Sequence, residues 1–202
     1  ENPVKLLPMM ICAALAGTAA AAIPALADPA VHAAPANDVA TRVKALNALL
    51  AEQWQHTLEN APEFATILGD LRYNDRWSDM SLEHLAAEQK VDADFLKRFE
   101  AIDTTGFADA DKLNQQLMVR QLKDGLKAHE LKLDEMPLDQ MSGVHLQLAG
   151  FVSSIPFDNT KQYDDYLTRL TSVPKAFDQI IALACQVLAD KMMPPKYLLE
   201  KV

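Results

Sequence analysis

The sequence predicts an all-α protein, a bundle-like array of several helices. Three observations predict it. Apolar residues recur at helical spacing in the long segments after residue 38, and no alternating strand-and-hairpin pattern competes. Glycine is scarce, six in 202 residues, while Ala, Leu, Gln and Lys, which suit helices, are abundant. The segments are separated by Pro, Gly or polar capping residues, the punctuation that starts and stops helices.

In chain order, Asn37 or Asp38 is placed to cap a helix running to about Asn60, with Val43, Leu46, Leu50, Trp54 and Leu58 facing inward. Pro62 suits the first turn of a short helix through Leu68, which Gly69 stops. "DLRYNDRWSDM" (70–80) is a polar and aromatic loop. Ser81 caps the next helix, Leu82 to about Ile102, with Leu85, Leu96, Phe99 and Ile102 inward. After the loop "DTTGFADA" a long helix runs from about Ala110 to Leu133. Leu113, Leu117 and Leu131 form one of its stripes. Val119, Leu122, Leu126 and Leu133 form another nearly opposite, so this helix is expected to lie between neighbours.

Pro137 marks a break, and "MSGVHLQLAGFVSSIPF" (141–157) admits helical and extended readings. Thr160 is expected to cap a helix with Tyr163, Tyr166, Leu167 and Leu170 inward. Val173-Pro174 interrupts it, because a residue before proline resists the α region. A further helix runs from Pro174 to about Lys191 with Phe177, Ile180, Ile181, Ala184 and Leu188 inward. Pro195 opens a last one, "KYLLEKV".

The first 27 residues read as a signal peptide. Lys5 precedes an apolar and small-residue run from Leu6 to about Ala22, and Ala25 and Ala27 fit the small-residue rule for cleavage before Asp28. The expected location is therefore exported, periplasmic or extracellular, with no stable membrane insertion after cleavage. An uncleaved anchor is the rival reading, since the apolar run approaches the ~20 residues that span a bilayer. Residues 28–37 ("DPAVHAAPAN") read as a flexible Ala/Pro-rich tether carrying an exposed His32. Residues 38–202 are the helical region. The chain begins with Glu1 instead of Met, and its last apolar helix ends after about two turns. The expectation is an incomplete N-terminal part of a larger helical protein.

A formal net charge of −9 argues against a nucleic-acid partner, since neutralising phosphates takes clustered Lys and Arg. Cys12 falls in the leader, and Cys185 is expected as a small buried core residue.

The search for chemistry assigns no catalytic, cofactor-binding or metal residue. "HELKL" (129–133) spells half of the zinc signature H-E-x-x-H, but Leu133 stands where the second imidazole is needed. It reads as a coincidence on a structural helix, with Leu133 continuing an apolar stripe. His84 and Glu88 are an i,i+4 surface pair. His145 lies in the ambiguous stretch and is open to lining a cleft. Ser153-Ser154 has no base nearby in sequence. Asp164-Asp165 suits a helix N-terminus. Arg72, Tyr73, Asn74, Asp75, Arg76, Trp77 and Asp79 mix cations, carboxylates and aromatics in one loop. It is read as pinned by Arg–Asp pairs with Trp77 packed on the helix that starts at Ser81, or alternatively as the polar wall of a ligand cleft.

Three stretches, "FATILGDLRYNDRWSDMS" (64–81), "PFDNTKQYDDYLTRLTSVP" (156–174) and "MPPKYLLEKV" (193–202), occur in this order. Together they resemble the N-terminal third of the bacterial "domain of unknown function 885" proteins. The resemblance runs from about Leu46 to the end of the sequence. It implies an exported protein about three times this length whose C-terminal half carries H-E-x-x-P-G-H, similar to the zinc helix of gluzincin-type metallopeptidases. Zinc is thus expected for the full-length protein and no cofactor for this chain, because none of the motif's residues matches a position here. The resemblance implies two partners, the remaining C-terminal half of the same polypeptide and a peptide-like substrate. On this reading the chain is the N-terminal helical region of a zinc-dependent hydrolase, one wall of its substrate channel, and is not itself catalytic. The alternative is a stand-alone exported helical binding module.

Overall fold

The structure is a computed structural model that describes residues 36–133, 143–192 and 195–200. The expected leader (1–27) and most of the tether lie outside the described residues. Among the described residues every regular element is helical, as the sequence predicts. The elements are α1 (Ala36–Asn60), α2 (Pro62–Ile67), α3 (Leu82–Glu100), α4 (Asp109–Glu130), α5 (Val144–Phe151), α6 (Thr160–Thr171), α7 (Val173–Ala189) and α8 (Lys196–Leu199), with single 3₁₀ turns at Leu71–Tyr73 and Val152–Ser154. Within the ambiguous stretch, Val144–Phe151 is α-helix and Val152–Ser154 a 3₁₀ turn. No helix among the described residues is long and apolar enough to cross a membrane.

The caps follow local chemistry. Ser81 Oγ accepts from the His84 amide at 3.2 Å and starts α3. Asn159, one residue before the expected Thr160, caps α6 by accepting from Gln162 N at 3.1 Å. Gly69 ends α2 at φ 85°, with its amide on Thr66 O at 3.0 Å and that of Asp70 on Ala65 O at 2.8 Å. These two bonds form a Schellman closure, which needs a left-handed residue and so favours glycine.

One core joins α1, α3 and α4. Leu46, Leu49, Phe95, Phe99, Phe107 and Leu122 are buried together, with Val43, Leu50, Leu96, Met118 and Val119 packed around them. Phe107 is brought in by the α3–α4 loop. Gly106 permits this at φ +82°, where an added Cβ would lie 3.1 Å from Val39 Cγ2. Arg42 reinforces the same loop, donating to Thr105 O at 3.0 Å and pairing with Asp103 at 3.0 Å. α7 contributes a second buried stripe, Ala176, Ile180, Leu183 and Val187.

Several helices are turned relative to the sequence expectation. α4 is not enclosed on both sides. Leu122 is buried, but Leu113, Leu117, Leu131 and Leu133 are each more than half exposed. The helix also stops at Glu130, and Lys132 takes φ 57° to end it, so Leu133 neither continues the helix nor packs. On α1, Gln53 is buried and Trp54 is exposed. On α7, Ile181 and Leu188 face outward. That helix is apolar on most sides, so periodicity did not single out the buried face. Cys185, expected in the core, is exposed because it lies about 200° around the helix from Leu183. α6 is inverted: Gln162 and Arg169 are buried, while Tyr163, Leu167 and Leu170 are exposed.

Candidate functional site

The inversion of α6 follows from what Arg169 does. Its side chain is fully buried. Its guanidinium donates to Tyr73 O at 2.7 Å and to Thr66 Oγ1 at 3.2 Å from each terminal nitrogen. It also lies against two aromatic faces, 5.4 Å from the Trp77 ring centre and 4.9 Å from that of Phe151. No carboxylate pairs with it directly among the described residues. Burial pushes its pKa below the usual arginine value, opposed by the more distant Glu63, Asp75 and Asp165.

Arg169 is the anchor of the 70–81 loop, which has little regular structure of its own. Asp70 and Arg72 pair at the loop's entrance, and the hydrogen bond from Arg72 holds the Asp70 carboxyl below its usual range. Asn74 is buried, with Thr66 Oγ1 donating to its Oδ1 at 2.6 Å. Trp77 Nε1 donates to Arg169 O at 3.0 Å, and its ring packs 5.3 Å from Phe151. The expected dock for Trp77 was α3. The observed one is α5 and α6, and the side chain is only part-buried. Glu63 accepts from the amide of Ser78 at 3.0 Å and from its hydroxyl at 2.5 Å. Asp79 accepts from Ser81 N at 2.9 Å and from Gln179 Nε2 at 2.7 Å. Burial disfavours the charged Asp79, but the bonds from Ser81, with Lys175 and His84 nearby, outweigh it and hold its pKa low. Both expectations for this loop hold in part: it is pinned by side chains, and it walls a cleft.

The cleft encloses about 490 Å³ between the C-terminal end of α1, the loop and the first turns of α7. Pro62, Ala176 and Trp77 supply its apolar surface, and Arg76, Lys175, Glu59, Asp79, His56 and His84 its ionisable groups. His56 is engaged from behind by Glu88 of α3, with Nε2 to Oε2 at 2.7 Å. Glu88 therefore pairs with His56 and not with His84, its expected partner at i−4.

The other singled-out residues do not converge on this cleft. His129 is in the last turn of α4, and Glu130 pairs with Lys127 at 2.8 Å. These two residues do not fit a zinc site. Position 133 is Leu, past the helix end, and among the described residues no group of three or more His, Cys, Asp or Glu is arranged to hold a metal. Ser153 donates to Gly150 O at 2.7 Å, which is turn chemistry. Asp165 pairs with Lys161 one turn away on α6. The side chain of His145 lies outside the described residues. Arg169 was missed by sequence reasoning. Its only signal is its i+7 spacing from Gln162, which marks a polar stripe and gives no reason to bury it.

An all-α array with a polar loop locked onto a buried arginine defines a class of helical protein and not a chemistry. The chain belongs to the family of bacterial proteins of unknown function DUF885, which matches residues 62–202. No curated protein matches it.

Proposed function

We propose that this chain is the N-terminal helical region of an exported zinc-dependent hydrolase of peptidase type. Its helices form one wall of the channel leading to a metal centre carried elsewhere in the polypeptide. The observation that supports this reading is the exposed apolar surface on helices that are otherwise well packed. Leu113 and Leu117 on α4, Leu167 on α6, Ile181 and Leu188 on α7 and Tyr197 on α8 are each more than half exposed. Scattered exposed leucines are ordinary, but apolar stripes on several helices suit a further packing layer. Covering them would contribute roughly 25 cal/mol per Å² of apolar surface. The family resemblance supplies the zinc and peptidase elements of the proposal, and residues 1–27 supply export.

The test compares this chain with the full product of its reading frame. The 202-residue chain is expected to bind a hydrophobic dye, to associate and to hold no stoichiometric zinc. The full product is expected to bind one zinc per chain, removable by chelator, and the exported protein to begin at Asp28 by mass spectrometry. A monodisperse chain that binds no dye, from a reading frame ending near Val202, would overturn the proposal in favour of a stand-alone binding module.

A further inference from the structure

The two cations of the cleft are each held by one long ion pair with no hydrogen bond in it. Arg76 Nη2 is 3.6 Å from Glu59 Oε1, and Lys175 Nζ is 3.8 Å from Asp79 Oδ2. Both separations exceed hydrogen-bond length. Asp79 is committed elsewhere, to Ser81 and Gln179. The carboxylate of Glu59 accepts no hydrogen bond shorter than this long contact among the described residues. The cleft thus presents donors at Arg76 and Lys175 and an acceptor at Glu59.

These groups are placed by the fold. The Arg76 guanidinium lies 4.8 Å from the Tyr73 ring centre, and the Tyr73 carbonyl is held by buried Arg169 at 2.7 Å. Trp77 is fixed through its indole N–H to the Arg169 carbonyl at 3.0 Å. Lys175 and Ala176 project from the first turns of α7, where Gln179 ties the helix to the loop through Asp79 and the Met80 amide. Trp77 and Asp79 are already held by short hydrogen bonds, so ordering that part of the wall costs little on binding.

Charge decides the ligand class. Two cations face two carboxylates, so a dianion such as phosphate would meet repulsion from Glu59 and Asp79. A molecule carrying one carboxylate and one ammonium meets a complement for each. The volume, about 490 Å³, is in the usual range for small-molecule sites. We propose that this cleft binds an amino acid or short peptide with a free C-terminus. The carboxylate sits between Arg76 and Lys175, the ammonium faces Glu59, and the side chain lies against Trp77 and Ala176. All of these groups belong to this chain, so the inference stands apart from the larger-hydrolase reading, and either can fail without the other.

The test uses the whole chain at low ionic strength. In a Trp54→Phe background Trp77 is the sole tryptophan, and its fluorescence is titrated with Gly-Leu, Gly-Leu amide, N-acetyl-Gly-Leu and inorganic phosphate. Calorimetry on the unsubstituted chain repeats each titration independently of the fluorophore. Gly-Leu is expected to saturate. Amidation of its C-terminus, Arg76→Gln or Lys175→Gln should each weaken binding about tenfold or more, the range for a hydrogen bond to a charged group. Acetylation or Glu59→Gln should weaken it less. Arg120→Gln, on the exposed side of α4, should leave it unchanged. Arg76 and Lys175 side chains are about half and more than half exposed, so their variants are expected to fold, as unchanged circular-dichroism melts would show. Equal binding of dipeptide and amide, phosphate displacing the dipeptide at equal concentration, or no saturable heat with any probe would each overturn the inference.

Discussion

Replacing Arg169 probes the central feature of this fold, a buried cation that holds a loop with no carboxylate partner among the described residues. Truncation to alanine removes the bond to Tyr73 O at 2.7 Å and the shared donation to Thr66 Oγ1 at 3.2 Å. It also removes contacts with the Trp77 and Phe151 faces. Counting the bifurcated donation once, two hydrogen bonds from a charged group contribute about 1.5–3 kcal/mol each. Two partly desolvated cation–π contacts add about 0.5–1 kcal/mol each. Relief from burying the cation offsets several kcal/mol of that sum. The cavity left by truncation adds to what remains, and a net loss of about 3–5 kcal/mol is expected for Arg169→Ala, the range of large-to-small changes in a core. Arg169→Met keeps most of the volume and leaves mainly the Tyr73 carbonyl unpaired, so it is expected to cost about 1–3 kcal/mol.

Urea denaturation followed by circular dichroism gives both numbers. Limited proteolysis should show the Ala variant cut within residues 70–81 before global unfolding. An Ala variant within about 0.5 kcal/mol of the parent, the range of ordinary surface substitutions, would refute the reasoning. So would a Met variant less stable than the Ala variant, since volume would then not matter.

Three further outcomes are expected. Trp77→Ala, which loses its bond to Arg169 O and its packing on Phe151, should cost about 3 kcal/mol; Asp79→Ala, which loses bonds at the head of α3, should cost about 1 kcal/mol, and equal small effects in denaturation would mean the loop is a solvated connector. Phe99→Ala should cost about 3–5 kcal/mol, because Phe99 is fully buried between α1, α3 and α4; a loss below about 1 kcal/mol would contradict that core. Asp92 has its pKa raised, first by burial and then by Glu88, against His129 and His56. A carboxyl with a raised folded pKa binds more protons folded than unfolded, so its contribution is present below the unfolded pKa of about 3.9 and lost as pH rises through the folded value. Asp92→Asn should therefore stabilise at neutral pH, with the gain disappearing in acid; a gain independent of pH would count against this assignment.

Much of the fold was legible because helix punctuation is local. Pro62, Gly69, Ser81 and the Val173-Pro174 pair mark boundaries that depend only on adjacent backbone, and each lies at or within two residues of a helix end. The boundary overrun at α4 has the same origin. Lys132 supplies the left-handed residue at φ 57°, and lysine carries no sequence signal for that conformation, so the helix read on to Leu133. Facing directions were less legible. α7 has Ile180, Ile181, Leu183, Ala184, Val187 and Leu188 spread around much of its circumference, and only its neighbours choose Leu183 and Val187 for burial.

The site was illegible for a different reason, and the difference bears on where function lies in this chain. The loop's composition drew notice, but the contacts that order it span 92 residues from Trp77 to Arg169, 103 from Thr66 to Arg169 and 100 from Asp79 to Gln179. No periodicity within one helix reports partners at that separation. On α6 they also reverse the hydrophobic rule, exposing Leu167 and Leu170 so that Arg169 faces inward. A buried arginine is an expensive way to hold a connector when an apolar contact would serve. Here its guanidinium fixes the carbonyl of the residue that stacks under Arg76, while its own carbonyl fixes Trp77. Trp77, which it fixes directly, and Arg76, which stacks on Tyr73, line the same cleft. Where local preference is overridden to place two cleft residues at once, the override is better explained by the cleft than by stability.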